Sequence, residues 1–108
     1  MAHYIIAHVT VTDDAWVPDY AAQVHDIAAK HGGKYLSRSG NIEALEGEVK
    51  VPTLIAIIEF PDAKSAKAFA TDAEYAPHMQ ARREGSRGTF VLIDDTDVAG
   101  AIPYLPKG

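Results

Sequence analysis

Residues Thr53 to Phe60 read TLIAIIEF, a run of strand-forming residues bounded by Pro52 and Pro61. A short apolar run between turn signals is typical of a strand that is buried on both faces. Its single charged residue, Glu59, lies near the end, and a carboxylate buried there is costly unless it is paired or neutralised. We therefore predict that this segment is a central strand of a small sheet, with Glu59 facing a polar cavity.

Three more strands are predicted from the two-residue period and the turn signals. The first runs from His3 to Val11. One of its faces would carry Ile5, Ala7, Val9 and Val11, and the other would carry Tyr4, Ile6, His8 and Thr10. A second strand is expected from Lys34 to Ser39, continued or bulged through Ile42 to Leu45, and a fourth from Thr89 to Ile93.

The helices are predicted from apolar residues at helical spacing. The clearest of them runs from Val17 to His31, after the potential N-caps of residues 12–14, and the Gly32-Gly33 pair would end it. A second helix would be capped by Pro61-Asp62, and a short third helix would follow Asp72. The buried stripe of the second helix would be Ala63, Ala66, Phe69, Ala70 and Ala73.

The order strand, helix, strand, strand, helix, strand predicts an α+β, ferredoxin-like βαββαβ fold with a four-stranded antiparallel sheet. Strands one and three would be central, with both main helices on one face. The other face would still carry Ile6, Ile55, Ile57 and Val91, an apolar surface that is unlikely to stay in water. We expect residues 1–96 to form this domain, residues 97–108 to form a tail, and two copies to pair as a homodimer with a closed or nearly closed barrel between the subunits.

Composition excludes several classes of function. The 108 residues suffice for one domain, and a net charge of −5 argues against a general nucleic-acid or membrane-surface binder. There is no cysteine, so thiolate chemistry and Cys-ligated zinc are excluded. His3 and His8 lie on opposite faces of one strand, and no nucleotide or cofactor fingerprint is present, so we expect no metal and no cofactor. The start of the chain is not typical of a signal peptide, which favours a cytoplasmic protein.

Three blocks of sequence carry a resemblance to a known family: HGGKYLSRSGNIEALEG, IIEFPDAKSAKAF, and EYAP followed by arginine. Together they resemble the bacterial family called domain of unknown function 1330, over most of the chain from about Tyr4 to Asp94. That resemblance implies the dimeric α/β-barrel superfamily, whose members include cofactor-independent monooxygenases, haem-degrading monooxygenases and muconolactone isomerase-like enzymes. The positions that match the family's recurrent polar residues are Arg38, Glu46, Glu59, Tyr75 and Arg82.

A polar cluster on the face of the sheet that the helices leave uncovered is the first candidate site. His8 and Glu59 would share that face on neighbouring strands, and Arg38 could join them from the second strand. A carboxylate orients a histidine and makes it a stronger base, while an arginine can hold an anionic oxygen through its planar fork. These three residues are therefore candidate catalytic groups, with Tyr4 on the same face as a substrate-binding residue. The alternative is a structural ion pair between Arg38 and Glu59, with His8 making only structural hydrogen bonds.

A second group of candidate substrate-binding residues lies on the helices. Tyr75 and Arg82 would share one face of the short third helix, where they could form a lid that presents the arginine to the cavity. The alternative is a cap that seals the dimer edge. Trp16 and Tyr20 could line a pocket, although aromatic residues at helical spacing more often form core or interface.

Two functions remain open from the sequence. The first is a small cofactor-independent enzyme that abstracts a proton from a carbonyl or carboxylate compound, as an isomerase or monooxygenase-like protein would. The second is a non-catalytic dimer that binds a small anionic or carbonyl metabolite. A purely structural dimer is the least specific alternative.

Overall fold

The computed structural model describes residues 2–100, so that residues 101–108, most of the predicted tail, lie outside the described part. The elements in chain order are β1 (His3–Val11), α1 (Val17–Lys30), β2 (Lys34–Ser39), β3 (Leu54–Phe60), α2 (Ala63–Ala70), α3 (Ala76–Gly85) and β4 (Ser86–Asp94). The four strands form one sheet in the order β2-β3-β1-β4, with every neighbouring pair antiparallel. This is the predicted α+β, ferredoxin-like fold, with β1 and β3 at the centre.

Strand register divides the sheet into two faces as the alternation predicts. Ile5 lies opposite Ile58 and Ala7 lies opposite Ala56, and these side chains are buried beneath the helices. The next positions along each strand point the other way, so Ile6 and Ile57 pair on the uncovered face. We call this uncovered side the open face. Its largest apolar side chains are Ile6, Ile55, Ile57, Val91 and Ile93.

The covered face packs on α1 and α2 through an aromatic and aliphatic core. Phe60, Phe69 and Val24 are the largest fully buried side chains. Phe69 lies between Phe60 and Tyr75, with ring centroids 5.5 and 4.5 Å away. Burying each such side chain is worth roughly 1.5–3 kcal/mol, so this cluster stabilises the packing of the helices on the sheet.

The end of α1 and the N-cap of α2 are as the sequence predicts, whereas the N-cap of α1 is not. Gly32, at a left-handed φ of 78°, ends α1, and the side chain of Asp62 accepts the backbone N–H of Ser65 at 2.7 Å as the N-cap of α2. The predicted cap of α1 by residues 12–14 is wrong. The residue before the helix is Trp16, which makes no side-chain cap, and the Asp13 carboxylate instead closes a turn by accepting the N–H of Ala15 at 2.9 Å.

Two other features bear on function. The predicted continuation of the second strand through Ile42 to Leu45 is wrong. Residues 40–53, between β2 and β3, form an irregular connection in which the side chain of Leu45 is 91% exposed. Within residues 2–100, no helix combines the length and the apolar character needed to cross a bilayer.

Candidate functional site

A cavity of about 270 Å³ lies between the covered face of the sheet and the helices α1 and α3. Its walls are mostly aliphatic, from positions such as Ala7, Val9 and Ile58. Six larger side chains also line it: Trp16, Tyr20, Tyr35, Arg38, Arg82 and Phe90. We call this space the inner cavity. Ligand sites usually have volumes of roughly 300–1,000 Å³, so the occupant of this one would be small.

Arg38 reaches the inner cavity because β2 contains a bulge. The strand pairs Tyr35 with Ile58 and then Ser37 with Ile57, so Leu36 is an extra residue in the ladder. A one-residue slip moves every later side chain to the other face, and Arg38 therefore lies opposite Ala56 on the covered face. The carbon at the centre of its guanidinium group is 4.1 Å from the ring centroid of Tyr35, within the range of a cation–π contact.

Arg82 enters from α3, on the other side of the cavity. Its guanidinium carbon lies 4.0 Å from the ring centroid of Phe90 in β4. Its Nε atom is buried and has no hydrogen-bond acceptor within residues 2–100. A buried donor without a partner is costly, so this atom is a candidate contact for a ligand oxygen.

Neither arginine has a counter-ion in the described part of the chain. The ion pairs there involve the cations His25, Lys30 and His31, all on or next to α1. No Asp, Glu or His lines the inner cavity among residues 2–100. The two guanidinium groups therefore face a largely apolar space with their positive charges uncompensated.

The tyrosines of this region are hydrogen-bonding groups and not bases. The hydroxyl oxygens of Tyr20 and Tyr75 lie 2.8 Å apart. Burial, reinforced by the neighbouring Tyr75, raises the pKa of Tyr20 far above its usual value. Burial also raises the pKa of Tyr35 to about 12, although Arg38 acts in the opposite direction. Both hydroxyls thus stay protonated at neutral pH and can donate a hydrogen bond.

Trp16 closes one end of the inner cavity. Its indole N–H donates to the carbonyl oxygen of Gly85 at 3.1 Å, and its ring meets that of Tyr20 edge to face with centroids 5.2 Å apart. A β-carbon at Gly85 would collide with the indole ring. The absence of a side chain at position 85 is therefore what lets the end of α3 approach Trp16.

The predicted meeting of His8, Glu59 and Arg38 is wrong within one chain. His8 and Glu59 do lie on the open face, as expected, but Glu59 pairs with Tyr4 whereas His8 pairs with Ile55. The two are thus four residues apart along the strands, about 14 Å at a rise of ~3.4 Å per residue. Arg38 lies on the opposite side of the sheet, because the bulge reverses its direction.

The structure brings other predicted residues together. Trp16, Arg38 and Arg82 all line the inner cavity, while Tyr75 and Arg82 share a second depression between α2, α3 and β4. Tyr4 lies beside Glu59 on the open face, away from both spaces. Tyr35 and Phe90 also line the inner cavity, although neither was predicted as a site residue. Their alternation along β2 and β4 was a usable signal, since it places them on the covered face with Ile58 and Ala7.

The described lining of the inner cavity offers groups that suit a small anion or carbonyl compound. Aromatic walls suit a planar body, and guanidinium forks suit an oxygen that carries negative charge. Within residues 2–100, no group of three or more His, Cys, Asp or Glu side chains could hold a metal ion. The described lining residues supply hydrogen bonding and charge stabilisation.

The fold and this site define a small α+β protein with a cavity beneath its sheet. The chain belongs to the family described as Domain of unknown function (DUF1330), whose model matches residues 2–96. No functionally curated protein matches it in sequence.

Solved structures resemble it in fold. The protein of unknown function RPA0582 from Rhodopseudomonas palustris is 12% identical, with a TM-score of 0.73 over 89% of this chain and 83% of that one. SnoaB, a cofactor-independent oxygenase from Streptomyces nogalater, is 16% identical, with a TM-score of 0.63 over 89% of this chain and 94% of its own. An antibiotic biosynthesis monooxygenase is 18% identical, with a TM-score of 0.56 over 90% of this chain and 100% of its own.

Proposed function

We propose that this protein binds a small planar carbonyl or enol compound in the inner cavity and promotes formation of its enolate without a cofactor. One observation carries the proposal. Two arginines without counter-ions, Arg38 and Arg82, line an apolar cavity with aromatic walls and no acidic residue among those described. An anionic or readily ionised ligand would supply the missing negative charge.

The chemistry follows from the charges. Positive groups in a site of low dielectric lower the pKa of a bound enol, phenol or carbon acid, because they stabilise the conjugate anion more than the neutral form. The bond that breaks is the O–H or the C–H beside the carbonyl, and its electron pair ends on the ligand oxygen facing a guanidinium group. The proton passes to a base from solvent, since no His, Asp or Glu among residues 2–100 lines the cavity. Arg38 and Arg82 thus act as a preorganised oxyanion site.

The likeness to SnoaB supports the fold as a scaffold for chemistry without a cofactor. An enolate can take up a proton at another carbon, as in isomerisation, or react with dioxygen, as in an oxygenase. The assignment of Arg38 and Arg82 rests on the geometry of this chain and not on that likeness.

We also propose that the protein is a homodimer that pairs through its open face. Val91 and Ile93 on that face are each 51% exposed, and they adjoin Ile6 and Ile57 of the central strands. A contiguous apolar patch of this kind marks an interaction surface. The catalytic roles predicted for His8 and Glu59, and the binding role predicted for Tyr4, stay predictions, and these side chains would lie at the subunit interface.

A non-catalytic binding protein is the second candidate function. The observation in its favour is the same absence of an acidic or imidazole base from the walls of the cavity among residues 2–100. A protein that only carries a metabolite needs the arginines for affinity and needs no proton acceptor.

Binding is tested first, with 2-hydroxy-1,4-naphthoquinone, an acidic enol whose anion is coloured. Its affinity is measured from the quenching of the fluorescence of Trp16, the single tryptophan. Loss of a charged hydrogen bond costs ~1.5–3 kcal/mol, so Arg38→Ala should weaken binding on the order of 10- to 100-fold. Arg38→Lys should recover only part of this loss, because lysine lacks the planar fork. Lys64→Ala, which removes an exposed positive charge on α2 outside the inner cavity, is the matched control and should leave the affinity unchanged. Equal affinities for the wild type and Arg38→Ala would refute the assignment of the inner cavity.

Turnover is tested with 2-tetralone in D₂O, by following deuterium exchange next to the carbonyl with NMR. The proposed enzyme accelerates exchange, and Arg38→Ala abolishes most of the acceleration. Binding of the naphthoquinone without any acceleration of exchange would select the non-catalytic alternative.

A further inference from the structure

A second depression lies between α2, α3 and β4, on the edge of the sheet away from β2, with a volume of about 790 Å³. We call it the outer groove. Its apolar surface is formed by Ile5, Phe69, Tyr75, Met79, Phe90 and Leu92. The Tyr75 hydroxyl is already engaged with Tyr20, so it adds little polarity to this surface. The body of any occupant must therefore be apolar.

The charged lining of the outer groove is entirely positive. Lys67, Arg82, Arg83 and Arg87 line it, and no Asp or Glu does so among residues 2–100. These are four of the ten lysines and arginines in a chain whose net charge is −5. None of the four forms an ion pair with a carboxylate in the described part of the chain. Clustered positive charge on an acidic protein favours an anionic ligand at that place.

Arg82 is a second indication that the outer groove binds a ligand. It lines the outer groove as well as the inner cavity, and its buried Nε has no acceptor among residues 2–100. Lys67 and Arg83 are exposed, so their charged groups can move to meet an anionic head at the rim. The volume of the groove is within the roughly 300–1,000 Å³ that is usual for ligand sites.

From these observations we infer that the outer groove binds a free single-chain amphiphile with an anionic head, such as a medium-chain fatty acid. The acyl chain lies on the apolar surface between α2 and β4, and the carboxylate is held by Lys67 and Arg83. This site is additional to the inner cavity. The two spaces share Arg82 and Phe90, but Lys67 and Arg83 line only the outer groove and Arg38 lines only the inner cavity.

Isothermal titration of the full-length protein with dodecanoate, below its micelle concentration, tests the inference. Dodecanoate should bind at least ~10-fold more tightly than butanoate, which lacks the long chain, or dodecyltrimethylammonium, which reverses the charge of the head. Equal affinities for the two twelve-carbon probes would overturn the inference, because the charge of the groove would then have no role. So would binding to phosphatidylglycerol vesicles without binding of free dodecanoate, since the surface would then recognise a membrane.

Variants place the ligand in the groove. Lys67→Glu with Arg83→Glu should lower the affinity for dodecanoate at least ~10-fold, whereas Lys64→Glu, an exposed charge reversal on the same helix α2 but outside the groove, should not. Ala70→Trp fills the groove from an exposed position and should block binding by bulk alone.

Arg38→Ala separates this inference from the proposed function. This variant should leave the affinity for dodecanoate unchanged and lower the affinity for the naphthoquinone. If Arg38→Ala weakens dodecanoate and the groove variants do not, the acyl anion binds in the inner cavity and the outer groove is not its site.

Discussion

The hydroxyl groups of Tyr20 and Tyr75 hydrogen-bond to each other at 2.8 Å, and so connect the first turn of α1 to the residue before α3. Tyr20 also meets Trp16 edge to face, whereas Tyr75 stacks on Phe69. This one bond therefore joins the aromatic wall of the inner cavity to the main core.

Removing this hydrogen bond should destabilise the fold. Tyr20→Phe keeps the ring but leaves the buried Tyr75 hydroxyl without its partner, so we expect the free energy of unfolding to fall by about 1–3 kcal/mol. Urea denaturation followed by circular dichroism measures the change. Tyr4→Phe, on the open face, is the control and should cost less. A loss no larger for Tyr20→Phe than for Tyr4→Phe would show that the bond contributes nothing to stability.

Acid should weaken the contact between the end of α1 and the segment before α3. The Asp72 carboxylate accepts hydrogen bonds from Lys30 and His31 at 2.7 Å each, and from the N–H of Glu74 at 2.8 Å. These bonds, led by that from Lys30, hold the pKa of Asp72 well below its usual value. A depressed folded pKa contributes stability that is present above the unfolded value of about 3.9 and is lost as the pH falls below it.

The measurement is the unfolding free energy of the wild type and Asp72→Asn between about pH 7 and pH 2. The wild type should be more stable at pH 7, and the difference should shrink steadily below about pH 4. Asp14→Asn, at an exposed position, is the control and should change the unfolding free energy at pH 7 less than Asp72→Asn does. A difference between wild type and Asp72→Asn that stays constant down to pH 2 would rule out this role for Asp72.

Charge at the centre of the open face should abolish the proposed dimer. Ile57 pairs with Ile6 there, and a glutamate at position 57 would have to be buried without a partner in the interface. Analytical ultracentrifugation should find a folded monomer for Ile57→Glu and a dimer for the wild type. Ala29→Glu, exposed on α1, should remain dimeric. A wild-type protein that is monomeric at high concentration would disprove the dimer outright.

A methyl group at Gly85 should open the inner cavity. The Gly85 carbonyl accepts hydrogen bonds from the N–H groups of Thr12 and Asp13 and from the Trp16 indole, at 2.9, 3.0 and 3.1 Å. Because a β-carbon there would collide with the indole, Gly85→Ala should displace the ring and cost about 1–3 kcal/mol. Acrylamide should quench Trp16 fluorescence more strongly in this variant than in the wild type or in Arg83→Ala. Unchanged quenching would mean that the indole keeps its place.

Much of the fold was predictable because the periodicity of apolar residues within a segment indicates which way its side chains point. The two-residue period of β1 and β3 placed Ile5 and Ile58 on the covered face and His8 and Glu59 on the open face, as the structure has them. Asp62 was recognised as a helix cap for the same reason, since a cap acts over three residues.

The candidate site was less predictable, and Arg38 shows why. Strict alternation along β2 would place Arg38 on the open face with Glu59, but the extra residue Leu36 reverses it. A bulge is settled by how two strands pair, and the partner of β2 is β3, beyond the 14 residues 40–53. The six residues of β2 contain no sequence signal that predicts this bulge.

The sequence by itself therefore determined which segments become strands and helices, and which way most side chains point, because those properties depend on neighbours a few residues away. Only the tertiary structure decided that Trp16, Arg38, Arg82 and Phe90 share one cavity, while His8 and Glu59 do not meet within the chain. That outcome depends on strand register and helix packing, which are set by contacts between residues far apart in the chain.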